Sequence, residues 1–239
     1  MTGAADAGAQ TVKGVMFDFS GTLMRVEPAE TWLRAALTAE GVRATDEDIA
    51  AYARRLEAAG ALPGSTQPDP VPPHVAPLWA RRDNSAAEYR AAYLGLSRTV
   101  ALPWDVHDAL HDRHLVPEAW QPYPDTERVL GALRERGVPV AVVSNIGWDL
   151  RPVFRAHGLD GLVDVFVLSY ELGTGKPDPL LFRTACEALG LPPGEVAMVG
   201  DNRVADGAAA ALGCPLLLVD HLPVASRPDA LLGVLDLIG

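Results

Sequence analysis

Short apolar runs recur along the chain at Val12–Phe17, Val138–Val143, Val163–Leu168, Val196–Val199 and Leu216–Val219. Each has the length and composition of a buried strand. The last four alternate with segments whose apolar residues fall three and four apart, the helical spacing. Val129, Leu130 and Leu133 share one face of Thr126–Arg136, which stops at Gly137. Leu181, Phe182, Ala185 and Leu189 share a face of Pro179–Leu189, which stops at Gly190. Asp149–Ala156 and the alanine-rich Asp206–Leu212 are the remaining helical candidates. Strands alternating with helices predict right-handed βαβ units and a parallel sheet covered on both faces.

About 120 residues separate the first run from the second, far more than one crossover needs. Residues 25–121 are therefore read as an inserted domain, and 1–24 with 122–239 as the α/β core. Within the insertion, Ala29, Trp32, Leu33, Ala36 and Leu37 fall on one helical face. Thr45 with Asp48, and Ser85 with Glu88, have the spacing of capping boxes before further helical patterns. Asp105–Leu115 reads as a fourth helix, and the proline-rich stretch 62–77 as a loop.

Composition narrows the function. Hydrophobic residues make up 49% of the chain, enough for a core of this size, and the net charge of −11 argues against nucleic acid and anionic membranes as partners. Cys186 and Cys214 have no metal-ligand spacing and read as small core residues of a reducing, cytoplasmic protein. Met1–Gln10 lacks the apolar stretch of a signal peptide and reads as a loose tail. Nothing in the sequence separates a monomer from a homodimer.

The candidate chemistry sits where such sheets place it, past the carboxyl ends of the predicted strands. Asp18 follows the first run, in Asp18-Phe-Ser20-Gly-Thr22; Ser144-Asn145 follows the second; Asp201 follows the fourth, in Gly200-Asp201-Asn-Arg-Val-Ala-Asp206. Between the third and fourth lies Gly175-Lys176-Pro-Asp178, which holds one of only two lysines in the chain. A carboxylate at the end of a buried strand is costly unless it is paired or used. Asp206 also suits an N-cap of the helix after it.

Taken in order, these four segments resemble the four motifs of the haloacid dehalogenase (HAD) superfamily. The resemblance implies an α/β, Rossmann-like core with an inserted α-helical cap domain. It implies a hydrolase that acts on a small phosphorylated metabolite through an aspartyl-phosphate on Asp18. It further implies Mg²⁺ held by Asp18, the Ser20 carbonyl, Asp201 and Asp206, with Ser144, Asn145 and Lys176 on the substrate and Thr22 orienting Asp18 or touching phosphate.

One residue departs from that pattern. Most phosphatases of the family have a second Asp two positions after the nucleophile, as proton donor and base, and here the position is Ser20. Such acid–base help is worth ~10²–10⁴-fold in rate, so Ser20→Asp is expected to speed the hydrolysis of esters with poor leaving groups. The insertion contains no lysine, which argues against a Schiff-base mechanism like that of phosphonoacetaldehyde hydrolases. Two rival readings are a 2-haloacid dehalogenase using an insertion arginine such as Arg25, Arg34 or Arg54, and a phospho-ligand binder that has lost hydrolysis. His107, His111 and His114 share a helix face and, with His74, are candidates for the missing acid; the competing reading is a solvated face.

Overall fold

The computed structural model describes residues 11–65 and 67–238; the reading of Met1–Gln10 as a tail lies outside them. Five strands form one parallel sheet: β1 (Gly14–Phe17), β4 (Val140–Ser144), β5 (Val165–Leu168), β6 (Val196–Gly200) and β7 (Leu216–Leu218). Their order across the sheet is β5-β4-β1-β6-β7. Pairing is in register with Phe17 opposite Val142 on one side and Val199 on the other. Every residue of β1, β4 and β6 is buried, as expected for central strands covered on both faces.

Strand alternation divides the apolar residues between two cores. Met16, Ala141, Val143 and Met198 meet Leu181, Phe182, Ala185 and Cys186 of the helix α9 (Pro179–Leu189). Val15, Phe17, Val142 and Val199 face the opposite core, which includes Val129, Leu130 and Leu133 of α6 (Thr126–Glu135) and Val153 and Phe154 of α7 (Arg151–Ala156). The bounds of α9 were legible because Asp178 caps it through Leu180 N, Pro179 opens it and Gly190 closes it with φ 70°. A short helix, α8 (Ser169–Leu172), links β5 to the Lys176 loop.

A two-stranded antiparallel ribbon of β2 (Met24–Val26) and β3 (Trp120–Pro122) marks where the chain leaves the sheet and returns. Between them lie the helices α1 (Ala29–Ala39), α2 (Asp46–Ala58), α3 (Ala76–Trp79), α4 (Ala86–Ser97) and α5 (His107–Arg113). Thr45 and Ser85 cap α2 and α4 by accepting from the backbone N–H of Asp48 and Glu88, at 3.1 and 3.2 Å. Three expectations need correction. The stretch 62–77 is not all loop, because α3 begins at Ala76. The fourth insertion helix is shorter than 105–115. Gly207–Leu212 is 3₁₀ rather than α-helical, and the Asp206 side chain makes no capping hydrogen bond to it. No helix among the described residues is long and apolar enough to cross a membrane.

Candidate active site

The sheet changes direction of winding around β1: the chain visits β4 and β5 on one side, then β6 and β7 on the other. Such a switch point opens a crevice at the carboxyl ends of the strands. A cavity of about 600 Å³ lies there, and Asp18, Ser20, Ser144, Asn145, Lys176, Asp201 and Asp206 all line it. Thr22 does not; it is fully buried behind the nucleophile and donates to Asp18 Oδ2 at 3.4 Å. Its geometry therefore fits orientation of Asp18 rather than contact with phosphate.

The charges in this crevice are close-packed. Lys176 Nζ donates to Asp18 Oδ1 and to Asp206 Oδ1, each at 2.6 Å, with all three side chains buried. Asp18, Asp201 and Asp206 each present a carboxylate oxygen to one small region, all within 4.8 Å of one another. Burial pushes the Asp18 carboxyl up to about 7, aided by Asp206 and Asp201 and opposed by Lys176. Burial also disfavours the Lys176 charge, but Asp18 and Asp206 outweigh it and raise its pKa. Three carboxylates against one ammonium leave an excess of negative charge in a site sheltered from water. The donor set is all hard oxygen, the set that magnesium selects, and a divalent cation would balance the excess.

The loops that carry these groups are braced from several directions. Asn145 donates from Nδ2 to the Lys176 carbonyl at 2.8 Å and accepts from the Lys176 N–H at 2.6 Å. Its amide thus fixes the lysine loop, a positioning task different from the substrate contact expected of it. Asp206 Oδ2 accepts from Asn202 N–H at 2.9 Å, so its side chain points back to the crevice instead of capping the next helix. The Ser20 hydroxyl is buried and has no hydrogen-bond partner among the described residues.

Two residues outside the four motifs complete the site. His221, just past β7, makes a 2.5 Å hydrogen bond through Nδ1 to Asp201 Oδ2, and its Nε2 is buried without a partner among the described residues. The carboxylate accepts, so Nδ1 carries the hydrogen. A Cβ on Gly21 would overlap both groups, which is why a glycine with φ 85° follows Ser20. Arg227, buried at 206 residues' separation from Gly21, donates Nη1 to the Gly21 carbonyl at 2.6 Å and Nη2 to the Thr22 carbonyl. Its guanidinium also lies 3.2 Å from the centre of the Tyr123 ring. The rule that marked Asp18, Ser144 and Asp201 also marks His221, which lies just past a strand end. Arg227 had no comparable local signal.

The insertion supplies the opposite wall, including Gly64, Trp79, Arg82, Asp83, Tyr89 and Tyr93. The arginines expected there are elsewhere. Arg25 and Arg54 line a separate cavity of about 530 Å³, and Arg34 pairs with Asp46 on the surface. The histidines are also elsewhere. His114 is buried and stacks on Trp32 at 5.3 Å, His111 is buried beside Arg90 and Asp112, and His107 meets Ser97 Oγ. His74 is exposed. None of the four lines the cavity, and the expected solvated face is instead packed at His111 and His114.

Comparison with known proteins agrees with this arrangement. A phosphoserine phosphatase of Thermus thermophilus is 35% identical over 169 residues, which cover 64% of this chain and 66% of that protein. The (S)-2-haloacid dehalogenase 1 of a Pseudomonas species is 34% identical over 101 residues, 42% of this chain and 44% of that one. This chain thus spans two thirds or less of the length of these relatives. A HAD phosphatase from Thermococcus onnurineus shares the fold at a TM-score of 0.55 and 24% identity, over 87% of this chain and 86% of its own. A family model described as hydrolase, haloacid dehalogenase-like hydrolase, matches residues 12–213. That match takes in all four motif segments and most of the chain, and the protein accordingly belongs to the haloacid dehalogenase-like hydrolases.

Proposed function

We propose that this hydrolase is a Mg²⁺-dependent phosphatase that transfers the phosphoryl group of a small metabolite to Asp18 and then to water. The observation that carries this reading is the convergence of Asp18, Asp201 and Asp206 within 4.8 Å around a single lysine. In this reading 25–121 is the cap domain over a core of 1–24 and 122–239. Asp18, Asp201 and the Ser20 carbonyl, with Asp206, are the residues that would hold the ion. When bound, Mg²⁺ neutralises phosphoryl charge that would otherwise repel the nucleophile.

The protein groups do the rest. Asp18 attacks phosphorus, and the bond to the ester oxygen breaks. That oxygen leaves as the alcohol, taking its proton from water, since Ser20 is too weak an acid to supply it. A second water then attacks the phosphorus, releasing phosphate and restoring the Asp18 carboxylate. Lys176 faces charge that develops in both steps, Ser144 receives a phosphoryl oxygen, and Thr22 holds the free oxygen of Asp18 in place.

Ser20 favours one second reading, a 2-haloacid dehalogenase, because halide needs no proton to leave. The excess of carboxylates counts against it, since a carboxylate-bearing substrate would be repelled. The test measures phosphate release across a panel of phosphomonoesters with Mg²⁺ or with chelator, and chloride release from 2-chloropropionate alongside. Mg²⁺-dependent phosphate release supports the proposal. Chloride release insensitive to chelation contradicts it.

A further inference from the structure

Ser169 opens α8 and is fully buried. Its hydroxyl does not serve its own helix, which has no side-chain cap. It turns instead to the loop that leaves β4. There it accepts from the Ile146 N–H at 2.9 Å and donates to the Ile146 carbonyl at 3.0 Å. The Tyr170 N–H reaches the same carbonyl at 3.3 Å, but among the described residues only the Ser169 hydroxyl accepts from the Ile146 N–H. The ladder between β4 and β5 ends where Ser144 pairs with Leu168. The Ser169 side chain thus carries the pairing past the end of the sheet, into the loop that holds Ser144 and Asn145.

That loop is in turn the support of Lys176. The Asn145 amide grips the Lys176 backbone through both its oxygen and its nitrogen. The approach is close, since a Cβ on Gly175 would come within 2.8 Å of Asn145 Oδ1. Lys176 Nζ then meets Asp18 and Asp206, each at 2.6 Å. A continuous path of hydrogen bonds therefore runs from Ser169 through Ile146, Asn145 and Lys176 to Asp18. The loop after β4, α8 and the loop before α9 meet here beyond the sheet, so side chains must set their spacing. Removing one partner of such a buried contact leaves the other unsatisfied, which is where hydrogen bonds matter most.

We propose that Ser169 is a positioning residue for the reaction: it holds the loop after β4 at the spacing that sets Lys176 against Asp18. This deepens the phosphatase reading. The rate test below rests on that reading, and the geometric test does not. Crystal structures of Ser169→Ala and Ser169→Thr supply the geometric test. In Ser169→Ala the Asn145 amide is expected to leave the Lys176 backbone, and Lys176 Nζ to lie more than about 3.5 Å from Asp18 Oδ1, outside hydrogen-bond range. Ser169→Thr keeps the hydroxyl and is expected to keep both contacts. In the rate test, kcat for phosphate release should fall about 10–100-fold in Ser169→Ala, as for a displaced catalytic group. KM should stay within about threefold of wild type, because Lys176 meets charge that develops only in the reaction. Ser169→Thr should recover the rate. Ser169→Ala combined with Asn145→Ala should be no more than about threefold slower than the slower single variant, since both act on one path. Wild-type contacts in the Ser169→Ala crystal, a wild-type kcat in that variant, or losses that multiply in the double variant overturn the proposal. If Ser169→Ala fails to fold, Ser169→Cys, with its weaker donor, takes its place in both tests. Failure of the phosphatase reading shows separately, as wild-type protein that releases no phosphate, and the crystal structures then decide alone.

Discussion

Gly64 sits so close to Ser20 that a Cβ on Gly64 would overlap the Ser20 hydroxyl oxygen, and Gly64 adopts φ 72°. The insertion loop therefore rests on the position where most family phosphatases carry their acid–base Asp. A carboxylate is larger than a hydroxymethyl, and in the place of the Ser20 hydroxyl it meets that loop. This favours the opposite outcome to the one expected from the sequence. Ser20→Asp should leave turnover of alkyl phosphates unchanged or lower, and Gly64→Ala should destabilise by about 1–3 kcal/mol from positive φ and overlap. Steady-state rates and thermal melts check both. A rise of about tenfold or more in Ser20→Asp would show that the loop is no obstacle.

His221 is expected to act through Asp201. Its Nδ1–H fixes one carboxylate oxygen and leaves the other for a cation. Removing partners of this kind typically weakens metal affinity by about 10–100-fold. Calorimetric titration with Mg²⁺ should show that loss for His221→Ala, with recovery in His221→Asn, whose amide N–H can replace the donor. Unaltered Mg²⁺ affinity in the alanine variant would separate His221 from the site.

Arg227 should matter to both the fold and the rate. It holds the carbonyls of Gly21 and Thr22 with two nitrogens, a geometry lysine cannot reproduce. Arg227→Lys should cost about 2 kcal/mol, since hydrogen bonds from charged groups are worth ~1.5–3 kcal/mol each and one is lost. For a chain of this size that is a fall of roughly 4–8 °C in Tm. The turnover number should fall with it, because the clamped turn carries Asp18. A melt within a degree of wild type would contradict this.

His114 gives the protein an acid weakness. Burial, helped by the neighbouring His111, holds its pKa well below the ordinary imidazole value. Both ring nitrogens lack partners among the described residues, so the folded protein keeps it neutral. The unfolded chain takes up a proton below about pH 6.5 and the folded chain resists it, so this contribution is absent above that pH and destabilises as pH falls. His114→Phe keeps a ring on Trp32 and removes the titration. Its Tm should fall less than that of wild type between pH 8 and pH 5. Parallel losses in the two proteins would place the acid sensitivity elsewhere.

Local patterns carried the core. Asp18, Ser144 and Asp201 were legible because strand burial shows as runs of apolar residues, and a polar residue ending such a run points into the crevice. What escaped the sequence is what tertiary contacts decide. Arg82 and Asp83 look like an ordinary charged turn, and only the docking of the insertion brings them into the lining of the cavity that holds Asp18. Arg227 acts across 206 residues. Asp206 also fits a cap from local sequence alone, but its carboxylate meets Lys176 and the Asn202 N–H. The spacing of His107, His111 and His114 showed a common face but not that α1, through Trp32, covers part of it.

The central claim is a phosphoryl group carried on Asp18. It is tested most directly by rapid acid quench of wild-type protein turning over an activated phosphate ester with Mg²⁺, followed by mass analysis of the peptide that contains Asp18. The account predicts that this peptide gains one phosphoryl group at Asp18, that chelator prevents the gain, and that Asp18→Asn never shows it. Phosphate release at the full wild-type rate from Asp18→Asn would contradict the account.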